Sequence, residues 1–177
     1  MFLRTALTSA VATTTLAAGL VLLPVQAHAL PGSPAASATA AQQHAASAFD
    51  GSYKQVASEN YDEYLREMSV GFAWRKILTA SEPITTITTA GQSWKIETRS
   101  VFRDTTISFE LGKEFDEETL DGRSVKSVMT IEEGRLVNRQ SIAGAQVSID
   151  TYTVSGDVLT LTRTANDVTA VLTSTRI

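Results

Sequence analysis

Residues 59–77 read ENYDEYLREMSVGFAWRKI and differ in pattern from everything that follows them. Tyr61, Tyr64, Leu65 and Met68 recur at helical spacing, and after the Ser69-Val70-Gly71 break a second apolar group begins with Phe72, Ile77 and Leu78. The spacing predicts two short helices. Asp62, Glu63, Arg66 and Glu67 would face outward, Asn60 would lie in the cap region, and the early acids would sit at the favourable end of the helix dipole. Downstream the pattern is that of strands. Gly91, Gly112, Gly122, Gly134, Gly144 and Gly156 punctuate segments rich in Val, Ile and Thr, as expected for antiparallel hairpins closing a sandwich or barrel. A pair of helices near the start of a hairpin chain has an obvious place as a lid over one open end.

The strand with the clearest alternation is QSWKIETRSVF, residues 92–102. Trp94, Ile96, Thr98, Ser100 and Phe102 fall on one face, and Lys95, Glu97 and Arg99 on the other. The charged face must meet solvent. The inward face starts apolar and turns to hydroxyls, which need partners in a dry core and would find them in a partly wet cavity, although threonine is also simply a good strand former. Thr85, Thr88, Thr151, Thr153, Thr160 and Thr162 carry the same ambiguity. Roughly ten strand-like segments fit a small closed barrel, a scale at which barrels hold one small ligand.

Composition removes several function classes. The chain of 177 residues has no cysteine, and its two histidines, His28 and His44, precede the strand-rich region. That region therefore offers no Ser-His or Cys-His nucleophile and almost no zinc or copper site. Neither a Gly-rich phosphate loop nor an EF-hand spacing occurs in it. No cofactor or metal is expected. Glu114, Asp116, Glu117 and Glu118 form the one dense acid cluster, and four acids on a hairpin read as a solvated loop rather than catalytic carboxylates, so the chain is not expected to be an enzyme.

The first 29 residues read as a signal peptide: a single early charge at Arg4, a long apolar and Thr/Ala-rich run, and Ala27-His28-Ala29 as the small-x-small cleavage pattern. Residues 30–47 are Ala-, Ser- and Pro-rich and uncharged, the composition of a disordered linker. The folded unit is expected over 48–177, one domain that would be secreted or extracytoplasmic. Without Arg4 the exported chain carries 14 basic and 19 acidic residues, a net charge of −5, so nucleic acid is not an expected partner.

Several segments, in order and at matching spacing, carry a family resemblance. They are Gly51-Ser-Tyr-Lys, Glu59-Asn-Tyr-Asp-Glu-Tyr-Leu, Val70-Gly-Phe-Ala-x-Arg-Lys, Trp94-Lys-Ile-x-Thr-x-Ser-x-Phe102, Ile107-Ser-Phe-x-Leu-Gly-x-Glu-Phe115 and Asp121-Gly-Arg-x-Val-Lys-Ser127. Over 50–142 the chain resembles the intracellular lipid-binding proteins, the fatty-acid-binding proteins of the calycin superfamily. The resemblance implies an all-β fold, a ten-stranded antiparallel up-and-down barrel (β-clam) with a helix-turn-helix lid between strands 1 and 2. It also implies one kind of partner, a small hydrophobic ligand, fatty acid or neutral lipid, carried by a monomer whose lid makes at most transient membrane contact.

The family's cavity and portal positions fall on Tyr61, Leu65, Val70, Trp74, Thr98, Phe102, Asp121, Arg123 and Gln140. Each of the apolar ones would also serve plain core packing. Trp74 stands where a smaller residue is usual and would narrow the opening. Many members grip a carboxylate with an Arg-x-Tyr pair on the last strand and an earlier arginine. Here those positions fall on Leu172, Ser174 and, for the earlier one, near Thr151, so the anchors are expected to be missing; Arg163 is placed in a turn and Arg176 too close to the end to replace them. A ligand would then be bound weakly or head-out, or be neutral and held through Thr98, Gln140 and Ser174. The function implied is an exported lipid carrier or scavenger; the alternative is a secreted structural or stress-protectant barrel without a specific ligand.

Overall fold

The computed structural model describes residues 47–177. The signal peptide expected over 1–29 and the linker expected over 30–47 lie outside the described residues, apart from Ser47. Strand β1 (Gly51–Glu59) leads into helices α1 (Tyr61–Glu67) and α2 (Phe72–Ala80). The chain continues as β2 (Ile84–Ala90), β3 (Ser93–Arg99), β4 (Thr105–Glu110), β5 (Glu114–Glu118), β6 (Ser124–Glu132), β7 (Arg135–Ile142), β8 (Ala145–Ser155), β9 (Val158–Ala165) and β10 (Val168–Arg176). All ten strands form one antiparallel sheet in the order β4-β3-β2-β1-β10-β9-β8-β7-β6-β5. The sheet curls into a barrel, with two helices inserted between its first two strands, as the sequence implied.

Sequential neighbours pair because the connections are tight. At Glu133-Gly134 and Ala143-Gly144 both residues have positive φ, 50° and 77° in the first and 50° and 80° in the second. Two successive left-handed residues make the type I′ turn whose twist matches that of the flanking strands. The one seam is between β4 and β5, which end the strand order and do not pair. Side chains bridge it instead: Phe109 stacks on Phe115 at 5.3 Å between centroids, and Arg103 forms an ion pair with Glu118.

Two apolar clusters fill the interior. Phe49, Tyr53, Ile87, Trp94, Ile96, Phe109, Met129, Leu136 and Leu159 form the larger one, in which the Trp94 ring lies 5.6 Å from Phe49 and 6.1 Å from Phe109. The second joins lid to barrel: Tyr61, Tyr64, Leu65, Val70 and Leu78 pack against Ala165, Ala170 and Leu172. The helical spacing of 59–77 thus has its physical cause in burial of one face of α1.

Asn60 stands at the N-cap of α1, as expected, but its side chain makes no cap bond; it adopts φ 55° and donates to the Thr169 carbonyl at 2.8 Å, tying the lid to β10. Two local expectations are corrected. The alternation of 92–102 stops at Arg99. Ser100 accepts from the backbone N–H groups of Phe102 and Arg103, and Asp104 accepts from that of Ser100 at 3.1 Å, so local side-chain bonds turn the chain and leave Phe102 about half exposed. The acid cluster is a strand, not a solvated loop: along β5, Glu114, Asp116 and Glu118 are exposed while Phe115 and Glu117 face inward.

Candidate ligand-binding site

Between the two apolar clusters lies an internal cavity of about 90 Å³. Its walls come from the inward faces of β1 to β5 and β8 to β10 and from the underside of the lid. Apolar walls are supplied by Leu78, Ile96, Ile107, Leu159, Leu161 and Leu172, and hydroxyls by Thr85, Thr98, Thr105, Thr119 and Ser174. The hydroxyl-bearing inward face suggested by Thr98 therefore does border a cavity.

Register decides what charge enters it. Asn138 pairs with Asp150, and Asp150 with Arg163, directly across three neighbouring strands and on the inward face. Asp150 is buried, and Arg163 donates to it twice, Nε to Oδ1 at 3.1 Å and Nη2 to Oδ2 at 2.7 Å. This is the fork geometry in which arginine matches a carboxylate. Arg163 is thus a strand residue inside the barrel, not a turn residue. The guanidinium also lies 5.2 Å from the centroid of the Tyr64 ring, so the lid rests on the pair through a cation–π contact.

The electrostatics follow from burial. Desolvation pushes the Asp150 carboxyl up, with the charge and hydrogen bonds of Arg163 pulling against it. Burial, reinforced by Asp150, also pushes the Tyr152 hydroxyl up, so that side chain presents a neutral phenol to the cavity. Burial raises Tyr61 as well, with Arg163 opposing. Glu117 is a further ionisable group with a place in the wall. Its Oε2 accepts from Ser127 Oγ at 2.5 Å and from Asn138 Nδ2 at 2.9 Å.

Of the positions singled out in the sequence, Tyr61, Thr98, Leu172 and Ser174 line the cavity. Leu65 and Val70 are buried in the lid cluster. Trp74 and Phe102 are 44 % and 53 % exposed and fill none of the cavity. Gln140 is wholly buried in the layer behind it, accepting from Ser148 Oγ at 2.6 Å. Thr151 alternates with the inward residues Asp150 and Tyr152 and does not reach the cavity.

Asp121 and Arg123 make a tight pair at the turn before β6, with Nε to Oδ2 at 2.5 Å, and Thr119 Oγ1 donates to Asp121 at 2.6 Å. Burial works to raise the Asp121 carboxyl, but those bonds outweigh it and hold the group below its ordinary range. Arg176, at the end of β10, bonds the Tyr53 hydroxyl at 2.5 Å and stacks on that ring at 4.7 Å. It closes the barrel rather than facing a ligand. Glu117, Asp150, Tyr152 and Arg163 are among the cavity residues that the sequence did not single out as ligand contacts. The signal available was the strand period: Phe115-Glu117-Thr119 and Leu159-Leu161-Arg163 each set one charge on an apolar face.

A ten-stranded barrel with a helical lid, a cavity between two apolar clusters and a few convergent polar groups defines a small-molecule binding protein. The lipocalin / cytosolic fatty-acid binding protein family model matches residues 50–175, and the chain belongs to that family. It is 44 % identical over 101 residues to human fatty acid-binding protein 9, an alignment that covers 57 % of this chain and 76 % of the relative. Among solved structures it resembles the Schistosoma mansoni fatty acid binding protein in complex with arachidonic acid, at 33 % identity and TM-score 0.71, covering 75 % of this chain and 98 % of that one. Echinococcus granulosus fatty-acid-binding protein 1 is similar at 30 % identity and TM-score 0.71, with 74 % and 98 % covered. The family is one of binding proteins rather than enzymes.

Proposed function

We propose that the chain is an exported carrier or scavenger that holds one fatty acid or other small hydrophobic ligand inside the barrel. The observation that carries this reading is the cavity with apolar and hydroxyl walls beneath the lid, on a chain similar to a protein known with arachidonic acid bound. The leader pattern over 1–29 supports export. The size of the cavity favours a second reading, a protectant barrel that keeps the fold without a ligand, because pockets for such ligands run to about 300 to 1,000 Å³. Holding a long chain would require the lid to move outward.

One experiment addresses both parts. The full chain is produced in a secreting host and recovered from the medium, where its intact mass should correspond to a start at Leu30. The delipidated protein is then titrated with an environment-sensitive fluorescent fatty acid and with unlabelled competitors. Saturable, displaceable binding is expected. Retention inside the cell removes export from the reading, and no saturable binding of any lipid leaves the protectant.

A further inference from the structure

The charges inside the cavity select among head groups, and with them the class of ligand, granted the lipid-binding reading above. Glu117, Asp150 and Arg163 are the charged side chains of the inner wall, and Glu118 borders the cavity at the exposed seam. Arg163 is already held by both oxygens of Asp150. The pair is self-neutralising, so an incoming carboxylate would meet a cation whose charge is compensated, with Asp150 beside it and Glu117 beyond Asn138. Two carboxyls against one guanidinium make the inner wall net acidic. Leu172 and Ser174, where the family resemblance would put a carboxylate anchor, both reach the cavity and offer no positive charge.

Glu117 is the group left to meet a ligand. Both of its hydrogen bonds end on Oε2, so a donor from the cavity would be taken by Oε1. Asn138 Oδ1 and Gln140 Nε2 are buried without a partner among the described residues, but neither side chain lines the cavity. The neutral polar groups that do line it, Tyr152, Thr98 and Ser174 among them, carry hydroxyls that can turn to donate or accept. An acidic wall offers a buried anion only neutral donors in place of its hydration, whereas a cationic or hydroxylic donor gains a hydrogen bond to a carboxylate and, for a cation, a compensating charge.

We infer that the cavity takes a single-chain amphiphile whose head group donates hydrogen bonds, an amine or alcohol rather than a carboxylate, with Glu117 as its acceptor. The chain would lie along Ile96, Ile107 and Leu161, between the two apolar clusters.

The test needs no variant at its first stage. Hexadecylamine, hexadecanol and hexadecanoate share one chain and differ only at the head, and each is used to displace a neutral fluorescent probe from the wild-type protein at neutral pH. The expected order is amine, then alcohol, then acid, with the amine at least about tenfold tighter than the acid. Glu117→Gln, whose side chain still accepts from Ser127 and Asn138, is then compared after its melting temperature confirms that it is folded. Amine affinity should fall about tenfold and acid affinity should rise. Acid preferred over amine by wild type, or amine affinity unchanged in folded Glu117→Gln, overturns the inference and leaves lipid binding standing. Failure of all three ligands to displace the probe, or of the probe to bind, overturns both.

Discussion

Replacing Asp150 by alanine should cost the fold about 3 to 5 kcal/mol, enough to lower its melting temperature by about 10 °C or more. The reason is that Arg163, mostly buried beneath Tyr64 and bonded twice to Asp150, would be left as a charge without its compensating carboxylate. A guanidinium cannot discard its proton to escape. Removing the other partner is gentler. In Arg163→Met the stranded Asp150 can take up a proton, a change burial already favours. Its folded-state pKa would rise further above the unfolded value of about 3.9, so the stability of that variant would be fullest below that pH and would decline as pH rises through the folded value. The deficit of Arg163→Met relative to wild type should therefore be smaller near pH 4 than at pH 7. The double variant Asp150→Leu/Arg163→Met should come back to within about 1 kcal/mol of wild type or exceed it, since well-packed apolar residues commonly replace a buried ion pair without loss. Denaturant melts of the four proteins at two pH values measure all of this. Single substitutions costing under about 1 kcal/mol would show that water reaches the pair.

What the sequence revealed and what it concealed divide along the range of the interaction. The lid was legible because Tyr61, Tyr64 and Leu65 repeat a helical spacing and are in fact the buried face of α1. β3 was legible because Trp94, Ile96 and Thr98 alternate with charges, a period set by the backbone alone. Ser100 and Phe102 were misplaced because a serine that can continue a strand can also fold back on its own backbone, and Asp104 decides between the two from four residues away. Composition misled at Glu117: three neighbours of the same charge made it look solvated, although Phe115 on the same face pointed to the interior. Nothing local marks Asp150 and Arg163 as partners. They stand 13 residues apart and meet only through the register of β8 on β9, which depends on where that hairpin turns. The fold was readable from motifs, whereas the head-group end of the site is written in strand register.

The second large effect concerns which part of the molecule opens. Amides of α2 should exchange with solvent at least about a hundredfold faster than those of β8 and β9, a gap of about 3 kcal/mol in opening free energy. Helix α2 is nine residues long and too short to stand without packing, yet among its residues only Leu78 is fully buried, while Phe72 is 65 % exposed. No side chain caps its N-terminus, and its first turn holds no acid to meet the dipole. Its ties to α1 are modest: Arg75 reaches Asp62 at 3.3 Å and the Val70 carbonyl at 3.2 Å, near the surface. By contrast α1 buries Tyr61, Tyr64 and Leu65 and is pinned by Asn60 to Thr169 and by Asn166 to Glu67 at 2.5 Å. Strands β8 and β9 pair on both sides along most of their length. The lid should therefore open at α2 while α1 and the sheet remain closed, and that is the motion a cavity of about 90 Å³ needs before it can admit a long chain. Trp74 lies on the moving helix and is half exposed, so a role at the gap is one of controlling passage rather than holding ligand. Trp74→Ala should raise the association and dissociation rates together in stopped-flow measurements while affinity changes less. Protection of α2 equal to that of β8 and β9, or unchanged rates in Trp74→Ala, would place the opening elsewhere, at the unpaired seam between β4 and β5.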